Sequence, residues 1–273
     1  MEPNALHYSN PIRVGDHLIT VRNGAAGAYL LVFDGTTFDF LTSTRWNDES
    51  FIVDDTRLLP RDVNVDALDV DVLVNEGVEQ ASIYNGDLPK EAYRHARNGW
   101  LVERRASNNT LYRRRWRTDF PAYGDNGSFA VDGVFRGAWS LGDGRLALHR
   151  QNIDGVTEEL LVLDEGATAT DLVVADTFDI TSAVQPANIA TWPDDASPST
   201  FMTTSWTLVS TADEDHVGMV LRASDHSSTF LSVALADGSV TAQTVDEPGL
   251  PWMPTPRRAF LRESEHGTIV AYD

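Results

Sequence analysis

Residues Gly144–Gly166 read GRLALHRQNIDGVTEELLVLDEG. Two short apolar runs, Leu146–Leu148 and Leu160–Leu163, are joined by a polar segment with a turn signal at Asp154-Gly155. Side chains alternate along a strand, so Leu146 and Leu148 face one way while Ala147 and His149 face the other. The second run is apolar at four consecutive positions, the pattern of a strand covered on both faces. Asp164-Glu165-Gly166 then turns the chain. The stretch predicts a β-hairpin, and His149 within it reads as a strand residue between core positions rather than as a metal ligand.

Loose copies of this hairpin recur. His17–Gly35 reads HLITVRNGAAGAYLLVFDG, Trp100–Arg113 reads WLVERRASNNTLYR, Val217–Gly238 reads VGMVLRASDHSSTFLSVALADG, and Ala259–Asp273 reads AFLRESEHGTIVAYD. Their matched arginines are Arg22, Arg104, Arg150, Arg222 and Arg262, separated in turn by 82, 46, 72 and 40 residues. A unit of 40–46 residues fits two gaps, two such units fit the 82-residue gap, and the 72-residue gap requires an insertion. Further strand candidates follow three of the exits, at Thr37–Leu41, Asp171–Val174 and Ser239–Thr244. The final copy has none, and Ile12–Val14 is the expected donor that would close a ring and remove its open edges.

In spacing and layout these copies resemble the blades of β-propeller repeat proteins. The resemblance implies an all-β, five- or six-bladed propeller-like fold; the alternative is a β-sandwich or jelly roll in an oligomer. A single domain over 1–273 is expected, with a loop excursion near 181–204. Asn23-Gly24 marks a turn, Phe51–Val53 and Val72–Val74 read as strands, and Leu88–Arg97 as the one helical stretch, with Pro89 at its first position.

Charge dominates the composition. Forty-one acidic residues stand against 21 basic ones, giving a net charge of −20, and Lys90 is the single lysine. An acidic chain that uses arginine almost exclusively resembles proteins of molar salt, as in haloarchaea and their viruses. At about 1 M salt the Debye length is roughly 3 Å, so self-repulsion is largely screened. The same sign argues against nucleic acid as a partner, because phosphate binding needs cationic surface and weakens steeply with salt. The absence of cysteine excludes disulfides and thiolate metal sites. The opening MEPNALHYSNPIRVG lacks a basic and apolar leader, and no run of 18 apolar residues is present, so no membrane insertion is expected.

Chemistry-bearing motifs are scarce. There is no Gly-x-Ser-x-Gly elbow, no Gly-x-x-x-x-Gly-Lys loop and no His-Glu-x-x-His pair. Asp62, Asn64 and Asp66 have calcium-loop spacing, but Ala67 and Leu73 stand where glycine and glutamate belong. No catalytic residue, metal site or cofactor is assigned. A carbohydrate-active enzyme would place paired carboxylates in a pocket, and Asp54-Asp55 and Asp194-Asp195 are where such a pair is sought. The clearest local feature is a basic island at 98–120, where strand alternation puts Arg113, Arg115 and Arg117 on one face. It reads either as a surface gripping carboxylates through guanidinium forks or as internal pairing with acidic neighbours. Trp192, in the long polar stretch, and Trp252, in the proline-rich Glu247–Pro256, complete the candidate binding residues.

In style, the chain resembles virion structural proteins of haloarchaeal tailed viruses, such as baseplate, tail-fibre, turret or receptor-binding components. That resemblance implies a non-enzymatic homo-oligomer with protein partners in a larger assembly, in the virion or outside the cell. A cell-surface glycan or glycoprotein is a further expected partner. The alternatives are a propeller-type glycosidase and a host carbohydrate-binding protein in the cytoplasm of a halophile.

Overall fold

The computed structural model describes residues 7–8, 12–24, 27–46, 51–60, 67–83, 93–105, 108–117, 122–168, 170–184, 207–212, 214–222, 228–245, 250–251, 259–263 and 268–272. Among them six antiparallel sheets follow one another along the chain. Sheet 1 holds β1 (His7–Tyr8), β2 (Ile12–Val14), β3 (His17–Gly24), β4 (Gly27–Asp34) and β5 (Phe40–Arg45). Sheet 2 holds β6 (Phe51–Asp54), β7 (Arg57–Pro60), β8 (Ala67–Asp69) and β9 (Ser82–Ile83), with helices α1 (Val70–Glu76) and α2 (Val78–Ala81) between the last two. Sheet 3 holds β10 (Tyr93–Arg97), β11 (Trp100–Arg105), β12 (Thr110–Arg117) and β13 (Ala122–Ala130). Sheet 4 holds β14 (Val134–Ser140), β15 (Leu146–Gln151), β16 (Glu158–Glu165) and β17 (Leu172–Asp179), followed by α3 (Thr181–Val184). Sheet 5 holds β18 (Thr207–Ala212), β19 (His216–Arg222), β20 (Ser228–Ala234) and β21 (Val240–Val245), and sheet 6 holds β22 (Leu250–Pro251), β23 (Ala259–Glu263) and β24 (Thr268–Tyr272).

Strand order within sheets 2 to 6 follows chain order, so each is a meander. Sandwiches and jelly rolls need long connections that carry the chain from one sheet to another and back; consecutive meanders do not use them. The fold is all-β and propeller-like. The repeated arginines now have a common place. Arg22, Arg104, Arg150, Arg222 and Arg262 lie at or near the ends of β3, β11, β15, β19 and β23. Sheet 2 fills the 82-residue gap; its strands have two to four residues, too short to show a period. Most of the 181–204 excursion lies outside the described residues.

The hairpin at Leu146–Glu165 shows why the sequence folds this way. Leu146 pairs with Leu163 and Leu148 with Leu161. Leu146, Leu148, Leu161 and Leu163 enter a core with Val102 and Leu111, whereas Ala147, Leu160 and Val162 enter another with Val217, Met219 and Leu231. Sheet 4 is therefore apolar on both faces because it packs against sheet 3 residues on one side and sheet 5 residues on the other. The turn is locked by Asp154, whose Oδ1 accepts from the backbone N–H of Val156 and Thr157, both at 2.9 Å. Gly155 takes the left-handed conformation that closes it, with φ +71°.

The chain divides into two compact units. One comprises Met1–Lys90, Ala96–Gly99 and Arg115–Gly124; the other comprises Glu91–His95, Trp100–Arg114 and Asp125–Asp273. The first has its own core, in which Ile19, Val21, Leu30 and Val32 of sheet 1 meet Leu58, Leu68, Val70 and Leu73.

Four local expectations are corrected. Ile12–Val14 does not join the last sheet: Gly15 (φ +56°) turns it back onto β3, with Ile12 opposite Ile19 and Val14 opposite His17. Val72–Val74 is helical, because Asp69 caps α1 by accepting from the N–H of Asp71 and Val72, and this outweighs the β preference of valine. The expected helix at Leu88–Arg97 is a strand from Tyr93 onward; Asn98 and Gly99, both at positive φ, form the tight turn that folds β10 onto β11. Residues 84–92 lie outside the described residues. Asn23-Gly24 is paired strand, opposite Ala28 and Gly27.

Candidate binding surface

The basic island lies on β11 and β12, and the structure sorts its arginines by burial. In the second unit, Arg113 is 1% exposed. Its Nε donates to the Asn126 carbonyl (2.7 Å), its Nη1 to the Gly144 carbonyl (2.9 Å), and its plane lies 5.2 Å from the Trp100 ring. Burial holds its pKa below the ordinary arginine value, against the opposing charges of Glu165 and Asp164. Arg114 is buried between Glu103 and Asp125, at 3.4 and 3.2 Å. Arg105 donates to the same fully buried Glu103 at 3.0 Å and stacks on Tyr112, and Glu103 raises its pKa. Arg104 grips the Asn109 side chain with two nitrogens, at 3.2 and 3.0 Å, and stacks on Phe135. For these four residues internal pairing prevails.

Arg115 and Arg117 are exposed, with interactions of their own. They belong to the first unit, on either side of Trp116, and beneath Trp116 is a polar knot that the motif search did not reveal. Asp54 is wholly buried. Its Oδ1 accepts the Gly99 N–H at 2.9 Å, and its Oδ2 accepts Arg57 at 3.0 Å together with the Tyr123 hydroxyl. Arg57 lies 4.6 Å from the Trp116 ring, Tyr123 meets Trp116 edge-on at 5.2 Å, and the Trp116 N–H donates 2.7 Å to the Gly99 carbonyl. Burial first, then the charge of Asp54, pushes the Tyr123 phenol far above its ordinary pKa. The knot fixes the backbone that displays Arg115 and Arg117, and the Asn98-Gly99 dipeptide was the signal for it in the sequence. Asp54 is spent as an anchor, while Asp55 occupies an exposed turn at φ +58°. The expected grouping of Arg113, Arg115 and Arg117 on one face is not reflected in their burial. Trp192, Trp252, Asp194, Asp195 and the Asp62, Asn64, Asp66 series lie outside the described residues.

A second buried polar row crosses sheet 4. Glu158 accepts from His149 at 2.8 Å and from Arg136 at 3.3 Å, and all three are almost fully buried. Arg136 falls where the β14–β15 register shifts, a bulge that aims its side chain at the row. Burial raises the Glu158 pKa, but the hydrogen bonds and charges of His149 and Arg136 outweigh it and the net shift is downward. The row bridges three strands, and Arg136 also donates to the Gln151 side chain at 3.0 Å. Among the described residues, no cluster of histidine and carboxylate side chains could hold a metal.

No protein-family model matches the chain, and no curated protein matches it. Solved structures do. A functionally unknown protein from Desulfotomaculum acetoxidans superposes with a TM-score of 0.53 at 12% identity, over 97% of this chain and 82% of that one. The β-propeller domain of Cps50 (Swd1) from Myceliophteria thermophila gives 0.46 at 12% identity, over 98% and 99% of the two chains. Dihydro-heme d1 dehydrogenase NirN gives 0.47 at 11% identity over 98% of this chain, which spans about half (54%) of that one. At such identities the likeness to the first of these extends to the fold alone, and the propeller-like reading of the architecture is carried by the consecutive meander sheets.

Proposed function

We propose that this protein is a non-enzymatic binding or structural module of an assembly that works in molar salt, of the kind that makes up haloarchaeal virus particles. The observation that carries this reading is the exposure of Arg115 and Arg117 in a chain with 41 acidic and 21 basic residues. Both lie on β12, where their neighbours Arg113 and Arg114 are buried. The two outward ones stand on a strand segment pinned from below by Asp54, Tyr123 and Arg57. A rigid pair of guanidiniums suits carboxylates on an acidic protein or glycoprotein, because forked, partly desolvated pairs are screened less than point charges. The site would dock the module into a baseplate, fibre, turret or receptor-binding complex, in the virion or outside the cell.

Retention on immobilised poly-glutamate in molar NaCl tests the reading. Wild type should be retained, and Arg115→Glu/Arg117→Glu should elute at the salt front with unchanged melting temperature. Equal elution of the two proteins would overturn the docking role. Release of reducing sugar from polysaccharides by the purified chain would overturn the non-enzymatic one.

A further inference from the structure

The end strands of each sheet have an edge without a partner strand, and a bare edge invites another chain to add one. Among the described residues nearly all of these end strands carry a defence. β1, β9 and β22 have two residues each. β2, β5, β6, β10, β13, β14 and β17 each contain a charged residue. In β18 the register shifts between Thr207 and Ser210. Two end strands have none of these: β21, which reads VTAQTV, and β24, which reads TIVAY. Of the two, β21 is the firmer platform. It completes a four-stranded sheet, pairs with β20 from Val240 to Val245 without a shift, and lies beside the wholly buried Leu231 and Val233 of β20. β24 closes a three-stranded sheet whose first strand is two residues long.

The direction of the β21 backbone groups follows from the turn before it. The Ala234 N–H donates to the Ser239 carbonyl at 2.9 Å. Bonded and non-bonded pairs alternate along an antiparallel ladder, so Thr241, Gln243 and Val245 bond β20, while the N–H and C=O groups of Val240, Ala242 and Thr244 face away from it. Thr241 and Ala242 are exposed.

We propose that β21 pairs antiparallel with β21 of a second copy of this chain, about a two-fold axis at Ala242, joining two four-stranded sheets into one. The self-match of the strand selects a second copy. Outward groups must meet outward groups, and an axis at Ala242 satisfies this while overlapping Val240–Thr244 in full. Ala242 then stands opposite its own counterpart, Val240 opposite Thr244, and Thr241 opposite Gln243. Every pair is uncharged, whereas β17 laid against itself would crowd Asp176 and Asp179 of both copies. For a chain of net charge −20 this is a rare place to meet its own copy without facing like charge. The contact is isologous and closes at a dimer. It contains no ion pair, and salt screens the repulsion between two acidic bodies, so it strengthens as salt rises. It goes beyond the docking role of Arg115 and Arg117 and does not depend on it.

The absence of cysteine makes the register directly readable. Ala242→Cys, Thr241→Cys and Val270→Cys are oxidised in molar NaCl, and sedimentation velocity follows wild type and Ala242→Pro over a range of concentrations. Directly opposed bonded residues have Cα atoms about 5.5 Å apart, within disulfide reach. Wild type should shift from monomer to dimer as concentration and salt rise. Ala242→Pro removes an outward N–H and no bond to β20, so it should stay folded and self-associate at least tenfold more weakly. Ala242→Cys should form a disulfide-linked dimer at least tenfold faster than either of the other two. If Ala242→Pro melts early, the cysteine series decides alone. Monomeric wild type, association that weakens with salt or grows past a dimer, or undiminished association of folded Ala242→Pro would overturn the inference. So would capture through Ala242→Cys that is no faster than through Thr241→Cys or Val270→Cys, the last of which would place the contact on β24.

Discussion

Glu158 is 4% exposed and lies between Arg136 and His149. Because its folded pKa is lowered, the stability it contributes is present above the unfolded glutamate value and is lost as pH falls through the folded one. Thermal melts from neutral to acid pH should therefore show a falling limb for wild type, and Glu158→Gln should flatten that limb while lowering stability at pH 7. Asp54 has more at stake. Asp54→Ala leaves the Arg57 charge without its acceptor and strands the Tyr123 hydroxyl and the Gly99 N–H, a change expected to cost about 3–5 kcal/mol in urea unfolding. Tyr123→Phe removes one hydrogen bond and should cost about 1 kcal/mol. His149 could be read from sequence as a buried strand residue, since it alternates with Leu148. That Glu158 and Arg136 meet it could not be read, because the meeting depends on strand register and on the bulge at Arg136.

At the scale of elements, tight turns carry the fold, and the glycines of one hairpin turn and one connection between sheets separate two kinds of cost. Gly155 has φ +71° with open space around its Cβ position, so Gly155→Ala should cost only the left-handed penalty of about 1–2 kcal/mol. Gly133 has φ +87° and its Cβ would lie 2.2 Å from the Gln151 carbonyl oxygen. Gly133→Ala should therefore be clearly the more destabilising in parallel urea titrations, and equal midpoints would contradict the backbone packing described. The turns at Asp154-Gly155 and Asp34–Phe38 follow from aspartate side chains that bond backbone N–H groups two and three residues on, a local effect legible in sequence. Helix α1 is equally local in cause, yet Asp69 as its cap was hidden among many acidic residues.

For the molecule as a whole, a net charge of −20 sets the conditions of stability. Between about 0.1 and 1 M salt the Debye length falls from roughly 10 Å to 3 Å. Melting temperature by circular dichroism should rise steadily over that interval, and a flat response would remove the high-salt reading of the composition. The sequence alone determined the all-β class, the hairpin unit, its approximate period and the two-sided burial of sheet 4, because alternation, turn residues and charge are local properties. Tertiary structure alone decided that Ile12–Val14 pairs within its own sheet and that Arg113 and Arg114 of the island are buried, Arg104 and Arg105 half-buried, and Arg115 and Arg117 exposed. It alone gathered Asp54, Arg57, Gly99, Trp116 and Tyr123 into one knot. Those outcomes depend on which strands become neighbours and in what register, and no stretch of the chain encodes that by itself.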